Sequence, residues 1–173
     1  MPHTPHAGAL PEQLTTTRPI GVIADTHGLL REEAIVLLKG CDPILHLGDV
    51  GDFSLLERLA AMARLYTVRG NIDTQSWCEQ LPWRQDLIVN GWHLHLVHDK
   101  ADFDPAAPCD AMLHGHSHKA LNEWRDTPDG RPRLWFNPGG AGKRRFRLPI
   151  TLGRLWAEET QLRRAILHLP LID

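Results

Sequence analysis

The 173-residue chain is poor in cysteine, tyrosine and phenylalanine, with 3, 1 and 4 of them. Cys41, Cys78 and Cys109 lie far apart, form no CxxC pair and are odd in number. That excludes a disulfide scaffold and predicts a reducing, cytoplasmic setting. No apolar run approaches the roughly eighteen residues of a membrane span, so no membrane partner is expected. The first residues carry neither a basic stretch nor a long apolar one, which predicts no secretory signal. An excess of either charge is also missing. Lys plus Arg number 19 against 21 Asp plus Glu, a net charge of -2, which gives no support to a stable nucleic-acid partner. What is present is an ordinary globular balance, 42% apolar and 23% charged, in a length that suits one domain. The exception is histidine, with 11 residues.

Residues 1–18 hold Pro2, Pro5, Pro11 and the run Thr15-Thr16-Thr17. With little apolar periodicity, they read as a flexible tail in which His3 and His6 are solvated. A single domain is expected over residues 19–173. Ile20 to Ala24 is a continuous apolar run that suits a strand buried on both faces. Arg31 to Lys39 has helical spacing and stops at Gly40. Pro43 to Leu47 predicts a second strand, Asp52 to Ala63 a second helix, and Leu65 to Arg69 a third strand. This alternation indicates parallel βαβ units. The second half reads as strands: a hairpin around Asn90-Gly91, Asp110 to Leu113, a hairpin around Pro128-Asp129-Gly130, Ile150 to Trp156, and Leu162 to Leu169. Residues 161–167 also suit a helix.

Ligand sites of α/β sheets lie at the carboxyl ends of strands. Here those ends carry Asp25-Thr26-His27, Gly48-Asp49, Gly70-Asn71, His98-Asp99 and His114-Gly115-His116-Ser117-His118. Taken singly, each of the first three has an ordinary reading: Asp25 as a helix cap, Gly48-Asp49 and Gly70-Asn71 as turns. His93 and His95 alternate with apolar neighbours and read as strand residues. His46 reads as a strand-interior histidine near the site, and His168 as structural or solvated. Three imidazoles within residues 114–118 are different, being rare outside metal sites. Asp25, His27, Asp49, Asn71, His98, His116 and His118 offer seven nitrogen and oxygen donors and no thiolate. That set fits Mn, Fe, Co, Ni or Zn rather than a structural cysteine site. It is too many donors for one ion and suits two metals about 3.5–4 Å apart with one carboxylate between them.

The order Asp-x-His, Gly-Asp, Gly-Asn, His, Gly-His-x-His resembles the calcineurin-like metallophosphoesterases. With the segment Asn137-Pro138-Gly139-Gly140 it is most similar to their small bacterial and archaeal phosphodiesterases. The resemblance runs from about Pro19 to the C-terminus. It implies an α/β fold, a four-layer α/β/β/α sandwich of two mixed β-sheets flanked by helices. It also implies that Asp25, His27 and His118 bind a first metal, that Asn71, His98 and His116 bind a second, and that Asp49 bridges. Two divalent ions would hold a shared hydroxide that attacks the phosphorus of a small phosphoester. Manganese is the expected metal, with Ni, Fe, Co, Zn and Mg as alternatives. Asp49, Asn71 and His98 then carry the catalytic roles.

Two positions depart from that pattern. Ile72 stands where many relatives have a histidine that contacts phosphate, and isoleucine donates no proton; Asp73 or a metal-bound water is the candidate replacement. Asp99 stands beside His98, where relatives often carry a small residue. Asp73, Asp99 and His114 are expected to orient the ligating side chains, Asp99 being equally readable as a solvated loop residue. Lys143-Arg144-Arg145 with Arg147 is the strongest basic cluster. It reads as a solvated loop or, through Arg144 and Arg145, as a rim that attracts phosphate. Trp77, Trp83 and Trp124 read as core, with the lining of a pocket or an interface as the alternative. The function expected is a metal-dependent phosphodiesterase. The alternatives are a non-catalytic interaction scaffold of the same fold, a nuclease, or a phosphomonoesterase. A homo-oligomer is left open.

Overall fold

A computed structural model describes residues 10–171. His3 and His6 lie outside the described residues. Among the described residues eleven strands form two mixed sheets, and two α-helices pack against one of them. The strands are β1 (Glu12–Leu14), β2 (Ile20–Ile23), β3 (Ile44–His46), β4 (Leu65–Thr67), β5 (Arg84–Val89), β6 (Trp92–Val97), β7 (Ala111–Leu113), β8 (Leu121–Arg125), β9 (Arg133–Asn137), β10 (Thr151–Ala157) and β11 (Leu162–His168). The helices are α1 (Glu32–Leu38) and α2 (Phe53–Ala60). One sheet has the order β1-β5-β6-β7-β9-β8, the other β11-β10-β2-β3-β4.

Alternation of side chains sorts the apolar residues onto two interfaces. Ile20, Val22, Leu45 and Leu47 from one sheet meet Leu87, Leu94, Leu96, Leu113 and Phe136 from the other. Ile23 and Ile44, on the opposite face, pack with Ala34 and Leu38 of α1 and Leu55, Leu56 and Leu59 of α2. Strands β2 and β3 are therefore buried on both faces, which is why they read as unbroken apolar runs. Both helices end on recognisable local features. Asp52 accepts the Ser54 N–H at 2.9 Å at the start of α2, and Gly40, with φ +81°, follows the end of α1.

Both α-helices pack on the β2–β3 sheet. The outer face of the six-stranded sheet instead carries a short 3-10 turn, Lys100–Asp102, with Phe103 against His95 and Trp135. Residues 162–168 form a strand paired antiparallel with β10, not a helix. Trp124 is exposed and lies under the Arg164 guanidinium rather than in the core.

The expected tail needs correction. Glu12–Leu14 is a parallel partner of β5, in the register Leu14 to Val89. The Thr16 N–H donates to Asn90 Oδ1 at 2.9 Å, and the Thr16 hydroxyl to the Asp42 carbonyl at 2.7 Å. A three-residue strand is too short to show a period in sequence, and prolines on either side disguise it. Leu14 is buried in the core between the sheets. Leu14→Ala is expected to lower stability in urea denaturation by about 2 kcal/mol, whereas a solvated tail would leave it unchanged.

Candidate metal centre

The parallel pairs put several strand ends at one edge of the sandwich. Beta2, β3 and β4 are aligned through Ile23, His46 and Thr67, and β6 and β7 through Leu96 and Leu113. Residues 24–27, 47–50, 68–71, 98 and 114–118 leave these ends. Main-chain hydrogen bonds lace the loops together. The Asp25 N–H donates to the Gly48 carbonyl at 3.0 Å, His27 to Asp49 at 3.0 Å, and Gly115 to His98 at 2.9 Å. Gly48 and Gly70 allow close approach between the loops. A Cβ at Gly48 would lie 2.6 Å from His98 Nδ1, and one at Gly70 would lie 2.1 Å from the Asp49 nitrogen.

The seven donors converge in two groups. Ligand atoms of Asp25, His27 and His118 lie within 4.8 Å of one another, as do those of Asp49, His98 and His116. Asn71 joins the second group, its Oδ1 3.0 Å from His98 Nε2 and 3.1 Å from His116 Nδ1. Asp49 faces both, with Oδ2 3.4 Å from His27 Nε2 and Oδ1 3.3 Å from His98 Nε2. Five of the seven, Asp25, His27, Asp49, His116 and His118, have positive φ. L-residues adopt that conformation at a steric cost, and such outliers gather at functional sites.

The residues fit divalent cations. Asp25 is 0% exposed and its nearest polar contacts are the His116 N–H at 3.1 Å and His118 Nε2 at 3.8 Å. Burial, with the Asp49 charge adding to it, pushes its pKa up to about 7 against the pull of His98. His27 Nε2 is buried without a hydrogen-bond partner, since 3.4 Å to Asp49 is a charge contact rather than a formed bond. Burial lowers the pKa of His27, and lowers that of His118 to about 4. Both imidazoles are thus neutral near pH 7 and present lone pairs. Burial opposes charge on Asp49 and His98 too. Their mutual hydrogen bond and charge outweigh it, so Asp49 titrates below the usual carboxylate range and His98 above the usual imidazole range. His98 Nδ1 donates to the Leu47 carbonyl at 2.7 Å, which turns Nε2 into the site.

The expected supporting residues divide. Asp73 is buried, and its carboxylate accepts the N–H groups of Val50 at 3.0 Å, Gly51 at 3.2 Å and Gly70 at 2.8 Å. It ties the Asp49 and Asn71 turns together. Asp99 accepts the Ala101 N–H at 2.9 Å and lies 3.8 Å from His116 Nε2, half-exposed. His114 points away from both groups, toward Trp135 at 6.3 Å between ring centroids, and burial lowers its pKa to about 4. His93 and His95 are also apart from the site, both bonded to Asp86 Oδ1 at 2.8 and 2.9 Å. Arg144 and Arg145 are exposed on the loop after Gly142.

Three residues with no role assigned from sequence hold the loops. His46 Nδ1 accepts the Gly48 N–H at 3.1 Å, so its Nε2 donates to the Thr26 hydroxyl at 2.9 Å. Thr26 in turn donates to the Val50 carbonyl at 2.9 Å. Asn137 donates to the Gly115 carbonyl at 3.0 Å and to Ser117 Oγ at 3.1 Å, fixing the turn that carries His116 and His118. His46 shows in sequence as a polar residue inside an apolar run, and Asn137 as the first residue of the Asn-Pro-Gly-Gly segment.

The sequence pattern of the calcineurin-like phosphoesterase superfamily domain matches residues 19–160. The chain is 29% identical over 141 residues to the "Probable metallophosphoesterase MJ0623" of Methanocaldococcus jannaschii, covering 71% of this chain and 68% of that one. Among solved structures it is similar to the phosphoesterase YfcE of E. coli, with a TM-score of 0.65, 22% identity and coverage of 87% and 99% of the two chains. It is also similar to Vps29 complexed with Zn2+ from Entamoeba histolytica, with a TM-score of 0.62, 16% identity and coverage of 87% and 99%.

Two measurements test the site. Asp25 carries a proton below about pH 7 in the metal-free protein and His98 titrates above the usual imidazole range, and ligands must lose such protons to bind a cation. Mn2+ affinity in calorimetric titration is therefore expected to rise from pH 6 to pH 8, with proton release at pH 6. Flat affinity would contradict the buried state of Asp25. Asp73→Ala is expected to lower stability by roughly 1–3 kcal/mol and to weaken Mn2+ binding about 10–100-fold. Unchanged metal affinity would remove its orienting role.

Proposed function

The chain belongs to the calcineurin-like phosphoesterase superfamily, and from that premise we propose that it is a phosphodiesterase for small phosphodiesters, using two divalent cations, manganese first among them. The observation that carries this reading is Asp49, whose two carboxylate oxygens face two separate groups of imidazoles at 3.4 and 3.3 Å. A pair of bound divalent cations supplies Lewis acidity: it makes water more acidic and offsets phosphate charge.

The chain's own residues do the rest. Asp25, His27 and His118 would hold one cation, Asn71, His98 and His116 the other, and Asp49 reaches both groups. The laced main chain holds these donors before substrate arrives, so little reorganisation remains for the reaction. Ile72 offers hydrocarbon, 39% exposed, beside Asn71. Its N–H donates to Asp49 Oδ1 at 3.1 Å. Asp73 does not replace the missing acid, because its oxygens are taken by three backbone N–H groups. Without a positioned proton donor, typically worth about 10²–10⁴-fold, the site favours diesters with good leaving groups over monoesters.

The partner in this reading is the small phosphoester alone, with no nucleic acid and no membrane. Among the described residues no helix is long and apolar enough to cross a membrane. The buried free thiols of Cys41, Cys78 and Cys109 support a reducing, cytoplasmic setting. The full set of ligating histidines argues against a purely non-catalytic scaffold.

The test is turnover of bis-p-nitrophenyl phosphate with Mn2+. Asp49→Asn is expected to lower kcat by about 10²–10³-fold or more with the fold intact by circular dichroism. Normal turnover in that variant would remove Asp49 from the mechanism.

A further inference from the structure

Among the described residues, seven other than glycine have positive φ: Asp25, His27, Asp49, Asn90, His116, Phe146 and His118. Five of them belong to the two donor groups. Asn90 sits in the Asn-Gly turn between β5 and β6, where that conformation is required. Phe146, with φ +53°, has neither reason. The Leu148 N–H donates to the Arg145 carbonyl at 3.1 Å, so Phe146 is the second residue of a four-residue turn. A positive φ there is what glycine ordinarily supplies. Packing does not account for the residue either, since it is 91% exposed. Neither the backbone nor the core calls for an aromatic ring at this position.

The turn hangs from the first donor group. The Ala141 N–H donates to the Ala24 carbonyl at 3.0 Å. Gly142 lies so close to Thr26 that a Cβ would come 2.0 Å from its carbonyl oxygen, and a Cβ at Gly140 would lie 2.7 Å from His118 Nδ1. Arg31 Nε holds the Gly142 carbonyl at 3.0 Å. Residues 140–142 are thus clamped along Asp25, His27 and His118, and the turn begins three residues later.

Building on the phosphodiesterase reading, we propose that Phe146 is a substrate-contacting specificity residue. Its ring stacks on a planar aromatic arm of the diester, a nucleobase or aryl group, while the phosphate lies over the donor groups with Arg145 beside it. Stacking accepts any flat ring. One ring is too small for a protein interface, which needs about 800 Å² on each partner.

The experiment is calorimetric titration of AMP, ribose 5-phosphate and inorganic phosphate into the Mn2+-loaded protein. Wild type is compared with Phe146→Gly, which suits the turn, and with Phe146→Tyr. Thermal melting confirms that each variant folds. Wild type is expected to bind AMP about tenfold more tightly than ribose 5-phosphate. Phe146→Gly closes that gap by weakening AMP alone, Phe146→Tyr keeps it, and inorganic phosphate binds all three alike. Equal binding of AMP and ribose 5-phosphate by wild type overturns the proposal, as does a gap that survives in Phe146→Gly. A wild type that turns over no phosphodiester overturns the phosphodiesterase reading and this inference with it. Turnover without an AMP preference overturns this inference alone.

Discussion

Asp25 and Asp49 sit out of water at one edge of the sandwich, within a few ångströms of His27, His98 and His118. Buried carboxylates are unfavourable unless paired or neutralised. Histidines are weak partners here, because burial drives His27 and His118 toward their neutral forms. The metal-free protein therefore keeps a proton on Asp25 up to about pH 7. Much else in the structure serves to hold these groups in place. The Asp73 carboxylate ties two turns, Asn137 fixes a third, and His46 with Thr26 joins a fourth.

The donors come from both sheets, so the centre exists only once the sandwich has closed. Beta2, β3 and β4 bring Asp25, His27, Asp49 and Asn71, whereas β6 and β7 bring His98, His116 and His118. Neither sheet alone holds a complete group. Binding of a cation to the native state alone would add to folding stability by mass action. Closure of the apolar interface between the sheets and assembly of the polar edge are thus one event.

Much of this organisation is legible in the chain because the strands are short and end abruptly. Ile20 to Ile23 and Ala111 to Leu113 are apolar to the last residue, and polar donors follow within a few positions. The hairpin at Asn90-Gly91 is equally plain, as its turn demands that pair. What is not legible depends on contacts distant in sequence. Beta1 is hidden because three residues between prolines acquire strand geometry only beside β5. Asp73 reads as a loop residue until three amide groups from Val50, Gly51 and Gly70 are seen around it. His114 lies amid ligands in sequence, yet β7 turns it to the opposite face, toward Trp135.

Beta1 also bears on where the independent folding unit lies. The shared family pattern spans residues 19–160, but Glu12–Leu14 and Leu162–His168 lie beyond it and each pairs with a strand of the sandwich. Beta5 would otherwise present Leu87, Ile88 and Val89 as an open apolar margin, and Leu14 covers part of it. Open strand margins recruit other chains. A chain trimmed to the family pattern would keep all seven donors and lose the strands that seal both sheets, trading solubility for no gain in chemistry.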